Sequence, residues 1–330
     1  MSAERAATAV AGTNIALVKY WGKRDAALNL PAAGSLSLTL DALGTRTSVR
    51  FSAALAADRL TLNGAPADAR ATTRVTTFLD RVRARAKIAT RADVVTENTV
   101  PTASGLASSA SGFAALALAA TSAAGLPATP AELSELARLG SGSAARSIFG
   151  GFVEMARGAR ADGRDAVATP LDSDWRDVRL VVAVTSDAQK SLGSTEAMER
   201  TARTSPYYEA WIASVAADLA DARAAVAARD LARLGEVAER SALRMHASAL
   251  AAAPGILYWN PATVAAIHAV RALRAEGVPA HFTIDAGPHV KVLTTAASAR
   301  TVADALLRTS GVLRTVVASP GEGAHLVEAA

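Results

Sequence analysis

Hydrophobic and polar positions alternate along the first third of the chain. "SLSLTL" at 35–40 alternates strictly, and 14–20, 46–52 and 58–62 are short runs of β-branched or alternating apolar residues. A period of two puts one side of an extended chain against a core, so these four segments predict strands. "LNGAP" at 62–66 reads as a turn between strands. The period then lengthens. Residues 71–87 predict a helix, "ADVVTEN" at 92–98 a strand, and Ser108 to about Ala124 an Ala/Leu helix stopped by Gly125 and Pro127. In "TPAELSELARLG" at 129–140, Thr129 caps, Pro130 takes the first helical position, Glu132 completes a capping box and Gly140 ends the helix. "GGFVEMA" and "VRLVVAVT" (178–185) predict strands, and 206–251 holds two Ala-rich helices with a break near Arg229. "NPATVAAIHAVRALRAEG" (260–277) predicts a helix capped by Asn260. "HFTID" and "HVKVLT" around "AGP" predict strand–turn–strand, followed by a helix at 297–309 and a last strand at "GVLRTVVA".

Strands, helices, strands, helices and strands follow one another with no regular βαβ alternation, which predicts an α+β fold rather than a doubly wound sheet. The 330 residues fit two domains or one large one. A boundary after "VRLVVAVT" gives domains of 1–185 and 186–330. No internal repeat is present.

Composition narrows the function. The chain is 51% hydrophobic but only 4% aromatic, so aliphatic residues and alanine must fill the core. It has no cysteine, which excludes disulfides, thiolate zinc sites and cysteine nucleophiles. The net charge of +5 suits an anionic small molecule. No basic run with interleaved aromatics is present, so no nucleic-acid partner is expected. "MSAERAATAV" lacks the pattern of a signal peptide, and no apolar run approaches the ~20 residues of a membrane span. A cytoplasmic chain without membrane contact is expected. Histidines 246, 268, 281, 289 and 325 show no metal-ligand spacing.

One stretch carries candidate chemistry. "NTVPTASGLASSASGFAALALAA" at 98–120 is a knot of Gly, Ser and Ala followed by a helical run. Small residues let backbone N–H groups approach an anion, and a helix starting there adds its free amides and dipole. The same composition also suits a buried helix packed closely through small residues. No lysine follows the glycines, so this is not a Walker A loop. "P-x-x-x-G-L-A-S-S-A", Pro101 to Ala110, resembles the phosphate-binding motif of the GHMP kinases. That resemblance implies that Pro101, Ser104, Gly105, Leu106, Ala107, Ser108 and Ser109 cradle ATP, with Ser108 reaching Mg²⁺ through the ATP phosphates.

The N-terminal block is more specific. "NIALVKYWGKRDAALNLPAAGSLSLTL" at 14–40 closely resembles the first strands of the diphosphomevalonate decarboxylase family, a branch of that superfamily. "LGSGSAARSIFGGFVEM" (139–155), "SLGSTEAMERTARTS" (191–205) and "FTIDAGPHVKVL" (282–293) agree with it in order. The resemblance implies a GHMP-kinase-like fold: an N-terminal domain like ribosomal protein S5 domain 2, then a ferredoxin-like domain, with the site between them. It also implies a homodimer. The implied reaction phosphorylates the C3 hydroxyl of mevalonate 5-diphosphate with ATP, then releases phosphate and CO₂ to form isopentenyl diphosphate.

By resemblance, Asp285 is the catalytic aspartate that orients or deprotonates the hydroxyl, and Arg146 grips the substrate carboxylate. Tyr20, Lys23 and Arg74 are implied to contact the diphosphate, with Lys19 nearby, and Ser141 and Ser143 to donate to phosphate or carboxylate. Lys23 is also counted among the catalytic groups. Lys190, Ser194 and Thr195 are expected on a loop that closes over the nucleotide. Two departures stand out: "LNLPAAGS" carries Ala33 and Gly34 in place of the usual Asn-Ser, and His289 stands where the family commonly carries Asn. They leave open a mevalonate 5-phosphate decarboxylase or a mevalonate 3-kinase-like enzyme. From another class, an inactive nucleotide-binding regulator remains a third reading.

Overall fold

The computed structural model describes residues 5–99, 108–188 and 192–328. Along the chain come β1 (Arg5–Val18), β2 (Lys23–Asp25), β3 (Leu30–Pro31), β4 (Ser35–Ser52), β5 (Arg59–Leu62), β6 (Ala65–Pro66), α1 (Ala69–Ala86) and β7 (Arg91–Asn98). Then follow α2 (Ser108–Ala123), α3 (Pro130–Gly140), a 3₁₀ segment (Gly142–Ile148), β8 (Phe152–Met155), β9 (Ala168–Pro170) and β10 (Val178–Val184). The rest is α4 (Ser194–Thr204), α5 (Tyr208–Ala228), α6 (Leu231–Leu250), α7 (Pro261–Ala275), β11 (Ala280–Ile284), β12 (Val290–Thr295), α8 (Ala299–Leu307), β13 (Arg314–Ala318) and β14 (His325–Val327).

One sheet has the order β14-β1-β4-β7-β5-β6, with β8 and β9 joined beside β4; the other runs β11-β12-β10-β13. In the second sheet, strands and helices succeed each other as β10, helices, β11, β12, α8, β13, with β10 and β12 central. That is the ferredoxin-like order expected of an α+β chain. A cut at 185/186 separates β10 from the helices that follow it, although all of its strand partners lie in the second sheet. The change of sheet occurs between Pro170 and Val178. The last strand, β14, then returns to pair with β1.

Local sequence explains the elements. Thr129 and Asn260 each close a capping box with proline next in line. Arg229, in left-handed conformation, breaks α5 from α6. Asn63 and Gly64, both at positive φ, turn β5 into β6. The strands expected at 35–40 and 46–52 are a single strand, β4. It passes β1 closely at Gly44, where a Cβ would stand 2.9 Å from the Ala11 carbonyl oxygen. Glycine is what lets the two strands approach there, and on paper it reads as a break.

Helix α2 lies on β1 and β4 through Ala114, Ala115, Ala117, Ala119 and Ala120, all fully buried. The close-packed reading of its small residues therefore describes the helix. The expected phosphate cradle, Pro101, Ser104, Gly105, Leu106 and Ala107, lies outside the described residues. A second core joins the two sheets: Ile15, Leu17, Leu36 and Leu38 of the first share one apolar cluster with Leu180, Val182 and Leu293 of the second. Burial on this scale contributes roughly 1.5–3 kcal/mol per large side chain, so the junction between the sheets is solid core. No helix among the described residues is long and apolar enough to cross a membrane.

Candidate active site

At the end of β1 the chain presents Lys19 to the junction, and the β11–β12 hairpin presents Asp285 to the same point. Lys19 Nζ donates to Asp285 Oδ1 at 2.7 Å and to the Ala16 carbonyl at 2.7 Å. On the other side, Lys291 Nζ stands 3.1 Å from Asp285 Oδ2. Both lysine side chains are buried, while that of Asp285 keeps 32% of its surface exposed, so one face of the carboxylate remains open. Desolvation pushes the Asp285 carboxyl up, but the two ammonium groups outweigh it and hold the group well below the usual carboxylate range. Burial pushes Lys19 down, against the pull of Asp285 and with help from Lys291 and Arg146, to about 8.

Arg146 sits in the 3₁₀ segment, 2% exposed. Its Nε donates to Ser37 Oγ at 2.9 Å and Asn14 Oδ1 at 3.2 Å, its Nη2 to Asn14 Oδ1 at 3.1 Å, and its Nη1 to Ser35 Oγ. Asn14 is itself fixed, donating to the Ser143 carbonyl at 3.0 Å and to Ser147 Oγ at 2.8 Å. All these acceptors are neutral. Burial therefore pushes the guanidinium down to about 10, with Asp285 and Tyr20 opposing only in part. The junction thus buries three cations, Lys19, Lys291 and Arg146, around one carboxylate. Buried charge in such excess is costly unless an anion answers it.

The other expected residues extend from this centre. Ser141 and Ser143 lie on the turn that carries Arg146, their hydroxyls 3.3 Å apart. The Tyr20 hydroxyl is buried with no hydrogen-bond partner among the described residues, and burial raises its pKa. It lies against Gly142, where any Cβ would collide with it. Lys23 Nζ reaches Thr195 Oγ1 at 3.4 Å; burial lowers its pKa, Glu199 opposes this and Arg74 adds to it. Arg74 lies with its guanidinium 5.1 Å from the Phe113 ring centre and 3.5 Å from the Gly140 carbonyl. It helps line a cleft of about 190 Å³ with Arg81, Thr77 and Phe78. Arg74 is thus near Lys23 at the outer end and makes no contact with the Asp285 centre among the interactions described.

Ser194 and Thr195 form the first turn of α4 rather than a loop, and Lys190 lies outside the described residues. Ser108 opens α2, and Ser109, beside it, is exposed. The first turn of α2 contains no acidic residue that would repel an anion. Among the described residues no group of three or more His, Asp or Glu side chains comes together as a metal site.

The departures have structural explanations. A Cβ on Gly34 would stand 2.8 Å from Leu219 Cδ1 and 3.1 Å from the Met155 carbonyl oxygen, so a side chain there requires Leu219 of α5 to shift. Ala33 is buried in the core shared by the two sheets. His289 is 2% exposed, and its Nδ1 accepts from the Thr185 amide at 3.2 Å, while Asn260 Nδ2 donates to the Thr185 carbonyl at 3.0 Å. The imidazole ties the hairpin to the end of β10.

Sequence reasoning missed Asn14, Ser35 and Ser37 as the cradle of Arg146, and Lys291 as second partner of Asp285. It also assigned no role to His246. That ring is buried behind Lys19 and Asp285, 5.0 Å from Trp259, and burial with the Lys19 charge pushes its pKa down to about 3. Lys291 did leave a signal: a charge within the apolar strand "HVKVLT".

Comparison with known proteins points the same way over nearly the whole chain. Residues 11–168 match the diphosphomevalonate decarboxylase-like N-terminal domain, and residues 180–319 the mevalonate 5-diphosphate decarboxylase C-terminal domain. The diphosphomevalonate decarboxylase of Aspergillus fumigatus is 39% identical over 306 residues, 87% of this chain and 76% of that protein. The solved structure of MDDEF in complex with MVAPP, AMPPCP and magnesium superposes with a TM-score of 0.94 at 42% identity, covering 99% of this chain and all of that one. Mevalonate diphosphate decarboxylase from Staphylococcus aureus gives a TM-score of 0.94 at 38% identity, covering 98% of each chain. With both halves matched in order and the fold reproduced throughout, the chain belongs to the diphosphomevalonate decarboxylase family.

Proposed function

We propose that this chain catalyses the ATP-dependent decarboxylation of mevalonate 5-diphosphate to isopentenyl diphosphate, ADP, phosphate and CO₂. The observation that carries this reading is the buried excess of cations around Asp285, which asks for a ligand with anionic groups close to the hydroxyl that reacts. Family membership supplies the reaction.

In the first step the C3 hydroxyl oxygen forms a bond to the γ-phosphorus of ATP, the bond to ADP breaks, and the hydroxyl proton passes to water by way of the Asp285 carboxylate. Asp285 lies open on one face and ionised; it accepts the hydrogen bond of that hydroxyl and orients its oxygen. In the second step the C3–O bond breaks with phosphate as leaving group. The electrons of the C–CO₂ bond become the new double bond. Arg146 holds the carboxylate in line until CO₂ departs; its preset fork fits a planar carboxylate. Tyr20, Lys23, Arg74, Ser141 and Ser143 hold the diphosphate. Lys23 serves by its charge on the diphosphate, at the outer end beside Arg74.

ATP binds at the start of α2 with Ser108, Ser109 and the preceding segment Pro101, Ser104, Gly105, Leu106 and Ala107. The first turn of that helix carries no acidic residue, which suits phosphate. Mg²⁺ would supply countercharge on the phosphates, held mainly through ATP and water, with Ser108 as the residue that would reach it. What supports this pair of ligands is the related complex of MDDEF with AMPPCP and magnesium. A homodimer in the cytoplasm belongs to the same proposal, on family resemblance alone.

The test follows ADP and labelled CO₂ together after mixing the protein with Mg·ATP and carboxyl-labelled mevalonate 5-diphosphate. The 5-monophosphate and free mevalonate run in parallel. Matched release of both products from the diphosphate is the expected result. Release from the monophosphate, or ADP without CO₂, would assign a sister activity, and binding of ATP without any turnover would leave a regulator.

A further inference from the structure

Lys291 is the second residue of β12, itself a central strand: its backbone is paired with Val182 of β10 on one side and Thr283 of β11 on the other. Its neighbours Val290 and Val292 face the core under α7 and α8, so Lys291 points the other way, into the junction where Lys19 lies. It is 3% exposed. A lysine buried at such a place costs several kcal/mol of hydration, and an apolar side chain would fill the position without that cost. The fold therefore gives no reason for it.

Its partner gives one. Among the described residues the Lys291 ammonium pairs only with Asp285, through Oδ2. Asp285 already has a charge partner in Lys19, which takes Oδ1. A second cation is more than one carboxylate needs for neutralisation, since the site already holds Arg146 as well. What it adds is geometry. A carboxylate held at one oxygen can still turn about its Cβ–Cγ bond; held at both oxygens from different strands, it cannot. The face left open is then fixed.

We propose that Lys291 is a positioning residue for phosphoryl transfer: together with Lys19 it grips both oxygens of Asp285 and keeps the open face of the carboxylate on the C3 hydroxyl. The inference rests on the reaction proposed above. The charged and titratable groups facing Asp285 are Lys19 from the end of β1, Lys291 from β12, Arg146 from the 3₁₀ segment and His246 from α6. Loss of the Lys291 charge removes one of the two ammonium groups that keep the carboxylate ionised in acid.

The experiment compares the full-length parent with Lys291→Met, Lys291→Gln and Lys291→Arg in steady-state CO₂ release from pH 5 to 9 and in thermal melts. The Met variant is expected to fold with at least parental stability, because an apolar chain replaces a buried ion. Its kcat should fall by about tenfold or more, with KM for both substrates within about twofold. Gln should behave as Met does, and Arg should restore most of kcat. Should Met fail to fold, the Gln variant carries the test. A Met or Gln variant with parental kcat overturns the proposal, as does a loss expressed in KM with kcat unchanged. An inactive parent would instead remove the underlying reaction, and this inference with it.

Discussion

Lys19 and Asp285 are 266 residues apart in sequence and joined by a 2.7 Å hydrogen bond in the fold. The pair links the residue just after β1 in one sheet to the hairpin of the other, so the carboxylate takes up its working position only once both sheets have assembled. Its ionised state is set by two lysines from different halves of the fold. Asp285→Asn is accordingly expected to keep nucleotide binding and lose turnover by roughly 10²–10⁴-fold. Steady-state CO₂ release alongside ATP binding by fluorescence checks this, and near-parental turnover would remove Asp285 from its role.

Lys19 gives the free enzyme a characteristic pH dependence. Burial lowers its pKa to about 8, so near that pH the empty site holds a mixture of charged and neutral ammonium. A bound anion favours the charged form and raises the pKa. Substrate binding at pH 8 should therefore take up a fraction of a proton, detectable by calorimetry in buffers of different ionisation enthalpy. The sign follows directly: kcat/KM, which reports the free enzyme, should fall as pH rises through about 8, while the corresponding limb of kcat lies higher. Proton release on binding would contradict this charge arrangement.

Gly34 offers a prediction about packing. Restoring a side chain there puts a Cβ 2.8 Å from Leu219 Cδ1. Gly34→Ser should destabilise the chain by about 1–3 kcal/mol, the usual cost of overpacking. Leu219→Ala opens the space, so the double variant should recover part of the loss beyond additivity, a coupling that a double-mutant cycle in urea would measure. Additive effects would show that the two positions do not compete for the same space.

The pattern of the chain made most elements legible. Alternation marked β4, β5 and the end of β1, and proline-backed capping boxes marked α3 and α7. The start of β1 and the short β2, β3 and β9 were not marked, and three further things were not legible. β4 runs through Gly44 because a neighbouring strand needs the space, a tertiary reason absent from local sequence. β14 is three residues long and owes its existence to β1. Helix α4 begins at Gly193 with no side-chain cap, so no start signal announced it. In the site, Asp285 and Arg146 were recognisable from their surrounding motifs. Their partners were not, because Ser35, Ser37 and Asn14 are ordinary strand residues until the fold turns them towards one guanidinium.

That guanidinium supports the last prediction. Arg146 uses Nε, Nη1 and Nη2 at once, against acceptors on β1 and β4. A lysine keeps the charge but offers one nitrogen on a flexible stem, and cannot meet Asn14, Ser35 and Ser37 together while presenting a planar pair of donors to a carboxylate. Arg146→Lys should therefore lower kcat/KM for mevalonate 5-diphosphate by about 10²-fold or more, close to 3 kcal/mol of transition-state stabilisation. Burial lowers the arginine only to about 10, so it stays protonated at neutral pH, whereas a lysine at the same buried place starts about two units lower and loses its proton sooner. The loss should consequently be deeper at pH 8 than at pH 6, where the lysine is charged and only the planar fork is missing. Kinetics at these two pH values separate the roles: a Lys variant with parental kcat/KM would mean that Arg146 contributes charge alone.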